Sequence, residues 1–158
     1  MLCYILILSL FTHDQSIDYS KKLSKTFQNR LKTCKMIAQE AKNQAIDPVL
    51  AVSIAFNESK FTQEAIAFDG KGFGPMQATP RLWCENKKLE NCDLIKAGVT
   101  ALRTYLEIHD GDEFQAVKAY AGKGQKAHNY ARRILRIKAK TNHLLKGIKD
   151  EDLIIIEN

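Results

Sequence analysis

The stretch DPVLAVSIAFNES, residues 47–59, limits what this chain can fold into more than any other. Asp followed by Pro marks a helix start: Asp47 can cap the first free N–H groups, and Pro48 has no N–H to lose at the first helical position. The body that follows, Val49 to Phe56, is apolar on nearly every side of a helical wheel. Such a helix has no face to give to water and belongs in the centre of the protein. Glu58 comes directly after it. A long carboxylate at the end of the most buried helix has a charged form that is poorly solvated, so this residue departs from simple packing.

The remaining pattern is helical too. Residues 31–45 place Leu31, Cys34, Ile37, Ala38, Ala41 and Ala45 at three- and four-residue steps. Asp93 can cap a helix through His109 with Ile95, Val99, Leu102, Tyr105 and Leu106 inward, and Asp112 a shorter one through Tyr120. Gln125 to about Lys140 forms a last, basic helix, and only DLIIIE near the carboxy terminus reads as a strand. A length of 158 residues without repeats or a linker suits one mainly α, compact domain. The amino terminus MLCYILILSLF is too short to span a bilayer comfortably. Residues 1–16 therefore read as an export signal or short anchor, with a buried first helix or strand as the alternative. The domain proper is placed at 17–145 and a tail at 146–158.

Net charge is +6, and ARRILRIKAKTNHLLKGIK holds seven Lys/Arg and no acid. Nucleic acid and the bacterial envelope are both anionic, and a solvated helix face has the same composition, so charge alone does not choose. Cys84 and Cys92 bracket a short polar loop, and in an exported protein their closure is worth roughly 2–3 kcal/mol. Zinc is the rival, but C-x7-C without a nearby histidine is poor ligand spacing. Cys34, on an apolar stripe, reads as a small buried hydrophobe. The four histidines have no metal spacing, and no cofactor or metal is expected. Trp83 is expected to pack the loop that the cysteines close.

FDGKGFGPMQATP, residues 68–80, carries three glycines in five residues. It is not a dinucleotide fingerprint, because the third glycine position is Pro75, and not a P-loop, because Lys71 precedes Gly72 rather than Ser or Thr. Four strings in order carry more: ESKF (Glu58 to Phe61), GFGPMQATP (Gly72 to Pro80), AYAGKG (Ala119 to Gly124) and NYARRI (Asn129 to Ile134). Together they resemble the lytic transglycosylases with the soluble-lytic-transglycosylase, goose-lysozyme-like domain, whose pattern is E-S-x-F, G-x-G-L-M-Q, A-Y-N-A-G and a late Tyr. The resemblance covers about residues 31–140.

That resemblance implies a lysozyme-like α-helical domain cleaving the MurNAc–GlcNAc β-1,4 bond of peptidoglycan outside the cytoplasm. It places Glu58 as catalytic acid/base and Ser59, Phe73, Gly74, Met76, Gln77, Tyr120 and Tyr130 along the substrate groove. The glycine loop would let a sugar ring approach closely. Peptidoglycan strands, and anionic envelope polymers beside them, are the implied partners, with no nucleic acid and no obligate oligomer. Tyr120, Tyr130 and Phe73 have core packing as an equal alternative. Pro75 stands where the pattern has Leu, Ala67 where a Ser is common and Ala121 where it has Asn. The spacing from Glu58 to Met-Gln is about one residue long. The chemistry needs no second carboxylate if the substrate's acetamido group supplies the nucleophile. Glu64 and Asp69, the nearest acids in sequence, have no motif support. Hydrolysis by a goose-type lysozyme, or a non-catalytic basic binding module, are the other readings.

Overall fold

Helix α3 (Pro48–Ser59) begins as its sequence dictates: the Asp47 carboxylate accepts the Val49 N–H at 2.8 Å, and Pro48 takes the first position. In the computed structural model, which describes residues 1–11 and 22–147, Leu50 to Ala55 are all buried. Ser53, the polar residue among them, donates to the Val49 carbonyl at 2.6 Å and so costs little to bury. The helix ends at Lys60, whose left-handed backbone (φ 55°) turns its N–H back to the Phe56 carbonyl. Phe61 is left-handed as well, at φ 65°. Burying the Phe61 ring, 1% exposed, gains about 2–3 kcal/mol, which outweighs the roughly 1–2 kcal/mol cost of that backbone.

The described residues form six more helices: α1 (Leu2–Phe11), α2 (Lys22–Asn43), α4 (Pro80–Trp83), α5 (Leu94–Ile108), α6 (Glu113–Ala121) and α7 (Gly124–Gly147). α1, α2 and α7 pack against α3; α5 joins α2 to α6, and α6 lies along α7. Cys34, Ile37 and Ala41 of α2, Ile95, Val99 and Leu102 of α5, Val117 of α6 and Ile134 of α7 complete the core around it. The expected caps are present. Asp93 accepts from Ile95 and Lys96, and Asp112 from Gln115. α7 runs past the expected Lys140 because Thr141 is buried and donates to the Ile137 carbonyl at 2.9 Å, docking a further turn. Among the described residues no strand forms, only the isolated bridges Ile66–Phe73 and Phe73–Ala78. The expected strand at DLIIIE lies outside the described residues, as does the boundary at 16/17.

The reading of Cys34 as a free hydrophobe is corrected: it is disulfide-bonded to Cys3 of α1, with Cα atoms 5.7 Å apart. Cys3, Leu6 and Ile7 are buried in the shared core, so in the folded chain the apolar amino-terminal segment is a packed helix held covalently to α2. No helix among the described residues is long and apolar enough to cross a membrane. Cys84 and Cys92 form a second disulfide, and Trp83 packs beside them as the sequence leads one to expect.

One polar staple fixes α7. The Lys138 ammonium sits 2.8 Å from the Asp47 carboxylate and also hydrogen-bonds Glu113, tying α7 to the caps of α3 and the first turn of α6. Burial works against this charge, but the hydrogen bonds it donates to Asp47 and Glu113 outweigh it, and its pKa is raised above the ordinary 10.5. Lys138→Met is expected to lower stability by about 1–3 kcal/mol in urea unfolding. That is less than a fully buried pair would lose, because both carboxylates keep solvent contact. Since the folded-state pKa is raised, the difference from wild type should be constant through neutral pH and be lost as pH rises from the ordinary 10.5 through the raised folded-state value.

Candidate active site

Glu58 lies in the last turn of α3, half-buried, where α7 crosses. Its Oε1 accepts a hydrogen bond from the Tyr130 hydroxyl of α7. Among the described residues it enters no ion pair with arginine or lysine. Burial, then the Glu58 charge, then the hydrogen bond itself push the Tyr130 hydroxyl far above its usual pKa. Tyr120 of α6 donates to the Met76 carbonyl at 2.7 Å, and burial followed by the Glu58 charge raises it likewise. Both phenols therefore remain neutral donors at any working pH. Glu58 is the one carboxylate whose charge acts on either of them among the described residues.

The loop from Phe61 to Pro80 is built against this helix end. Ser59 donates to the Pro75 carbonyl at 2.9 Å and accepts the Thr62 N–H at 3.1 Å, so the residue after Glu58 anchors both ends of the loop. Within it, Ala67 donates to the Gly72 carbonyl, Gly74 to Ala65 and Phe73 to Ala78. Gln77, left-handed at φ 54°, turns its side-chain amide onto the Gly74 carbonyl at 2.8 Å.

Two expectations are corrected here. Met76 is fully buried in the core, and it meets the site through its backbone carbonyl rather than as a side-chain wall. Gly74 is buried also; a Cβ there would lie 2.7 Å from the Leu94 Cβ, and one at Gly72 would lie 3.0 Å from the Gln77 carbonyl oxygen. Protein atoms already fill the space beside these glycines. The missing side chains let the loop close on itself and on α5, not admit a sugar. Phe73 is half-buried between its two bridge partners.

Gly98 of α5 serves the same purpose from the other side, because a Cβ there would sit 2.6 Å from the Met76 Cβ. Trp83, Tyr105 and Tyr120 stack edge to face, with ring centres 5.7 and 6.3 Å apart, and link the loop of Cys84 and Cys92 to the site. Ala121 is exposed at the end of α6 and offers no polar contact.

The sequence did not single out two cations: the Lys60 ammonium stands 4.3 Å from the centre of the Phe56 ring, and the Arg133 guanidinium 5.7 Å from that of Tyr130. The Lys of ESKF and the first Arg pair of NYARRI were the available signals. Cavities among the described residues include three that do not touch Glu58. One of about 340 Å³ adjoins the Cys84–Cys92 loop, one of about 540 Å³ lies on α2 and one of about 420 Å³ lies between α2 and residues 61–64; Glu58 lines none of them. The site is marked by its carboxylate and its two phenols.

The fold is thus a mainly α domain that brings one carboxylate at the end of its central helix onto a tyrosine hydroxyl of its last one. The chain belongs to the transglycosylase SLT domain family, whose model matches residues 35–143. No curated protein and no solved structure matches it significantly.

Gly98→Ala tests the packing under the site. Alanine is the better helix former by about 1 kcal/mol, but forcing Met76 aside costs roughly 1–3 kcal/mol and moves the carbonyl that holds Tyr120. A net fall in thermal stability is expected, and Met76→Ala should not restore it, because the closest atom is the Met76 Cβ, which alanine keeps, and shortening a buried methionine leaves a cavity.

Proposed function

We propose that the protein cleaves the β-1,4 bond between MurNAc and GlcNAc in peptidoglycan, with Glu58 as the single acid/base. The observation that carries this reading is the Glu58 carboxylate, hydrogen-bonded by the neutral Tyr130 hydroxyl and free of any ion pair among the described residues. A neighbouring lysine or arginine in contact would favour the carboxylate and disfavour an acid; a neutral phenol orients the group at far smaller electrostatic bias. Tyr130 engages Oε1, leaving Oε2 to carry the proton.

In the first step that proton passes to the glycosidic oxygen as the C1–O bond breaks, and the 2-acetamido group of MurNAc stabilises the positive centre. Glu58, now a carboxylate, takes the proton of the C6 hydroxyl of the same sugar while that oxygen closes on C1. A 1,6-anhydro end results and the acid is regenerated, so no second carboxylate is required. Tyr120 and Ser59 act as positioning residues, fixing the carbonyls of Met76 and Pro75 and with them the loop that carries Gln77 and Phe73. Family membership supports peptidoglycan as the substrate. An envelope location and attraction to its anionic polymers belong to the same reading, in keeping with a net charge of +6.

Digestion of purified sacculi tests it, with muropeptides weighed. Wild type should yield products lighter by one water than hydrolytic ones, and Glu58→Gln should lose at least about 10³-fold in rate while melting normally. Hydrolytic masses would convert the reading to a goose-type lysozyme; binding without products would leave a binding module. Tyr130→Phe should lower kcat about tenfold or more with little change in KM, since an oriented acid loses its donor.

A further inference from the structure

Three cations converge on the end of α3 from three helices: Arg30 of α2, Lys60 at the helix terminus and Arg133 of α7. Lys60 rests over Phe56, two residues before Glu58, and Arg133 over Tyr130, the hydrogen-bond partner of Glu58. An aromatic face holds a cation in place without neutralising it. None of the three enters an ion pair among the described residues, whereas Lys96, Arg103 and Lys138 all do. They are close enough to repel: burial, then Arg133, then Arg30 lower the Lys60 pKa, and Glu58 alone opposes them. Beside them opens the cavity of about 420 Å³ that begins at Phe61, with Arg30 and Lys32 on its lining and Glu64 at its other side. Like charges held together without counterions destabilise a fold unless an anion is to be received there.

Resting on the reading of the site as a peptidoglycan-cleaving one, we infer that Arg30, Lys60 and Arg133 form a subsite for a carboxylate carried on the muramic acid residue, next to Glu58. Two sources share that chemistry: a carboxylate of the peptide stem, and the lactyl carboxylate exposed when the stem has been removed. Arginine and lysine bind such a group through charge-assisted hydrogen bonds. The subsite selects for muramic acid over a neutral sugar at the position it faces, and so sets the register in which the strand meets the acid.

The test uses the full chain carrying Glu58→Gln, so that binding is read without turnover. Three soluble glycan tetrasaccharides are titrated by calorimetry: one with stems, one stripped by an amidase to free lactyl groups, and one with stems whose carboxylates have been converted to amides. Lys60→Met and Arg133→Met should each weaken Kd about tenfold for a carboxylate-bearing strand and leave the amidated strand unchanged. Lys60→Arg should restore binding. An effect confined to stem-bearing strands assigns the stem, one confined to stripped strands assigns the lactyl group, and one on both supports a subsite that takes either carboxylate. Equal losses on amidated and native strands, or no loss on either, would overturn the subsite. Arg133 is exposed, so Arg133→Met carries the test should Lys60→Met fail to fold. Carboxylate-dependent binding in a wild-type protein that yields no cleaved product would sink the proposed reaction and leave the subsite standing.

Discussion

A carboxylate at the end of a helix buried on every side has to find its partner inside the protein, and here the partner is the Tyr130 hydroxyl. The choice of a phenol over a cation governs the rest of the site. A lysine or arginine in contact would have stabilised the same geometry more strongly, but at the expense of the protonated state that an acid needs. The phenol's own burial keeps it neutral, so the contact is a donor at every pH at which the fold survives. Lys60 and Arg133 lie over the Phe56 and Tyr130 rings, and among the described residues neither enters an ion pair with the carboxylate.

Holding that contact requires α3 and α7 to cross at a fixed depth, and the structure secures the crossing at both ends. Lys138 binds the cap of α3 from one turn of α7, and Tyr130 binds the last turn of α3 from another, two turns earlier. The loop of residues 61–80 is fixed in the same manner, with Ser59 and Tyr120 each seizing a carbonyl of Pro75 or Met76. Ser59, Gln77 and Tyr120 thus direct their hydrogen bonds to backbone, which leaves the geometry of the loop to be set by the fold rather than by flexible contacts.

Much of this was legible in the sequence, because it is local. Asp47-Pro48, Asp93 and Asp112 announce helix starts through their own side chains, and the structure places all three as caps. Glu58, Tyr120 and Tyr130 were legible as well, through spacing and ordered motifs. What could not be read depends on elements distant in sequence. Cys34 looks like any small apolar residue until α1 docks and brings Cys3 to it across 31 positions. Met76 and Gly74 sit in a string that resembles a groove wall, yet whether they face substrate or core depends on how closely α5 approaches, which no pattern in residues 68–80 encodes. The length of α7 was underestimated for the same reason, since its final turns are held by tertiary burial of Thr141 rather than by a local signal.

Gly98 and Met76 occupy one shared volume, and Tyr120 reads the result through the Met76 carbonyl. Because the closest approach is Cβ to Cβ, shortening the side chain at 76 does not free position 98, and a residue larger than glycine there is admissible only together with a shift of the backbone that carries the acceptor of Tyr120.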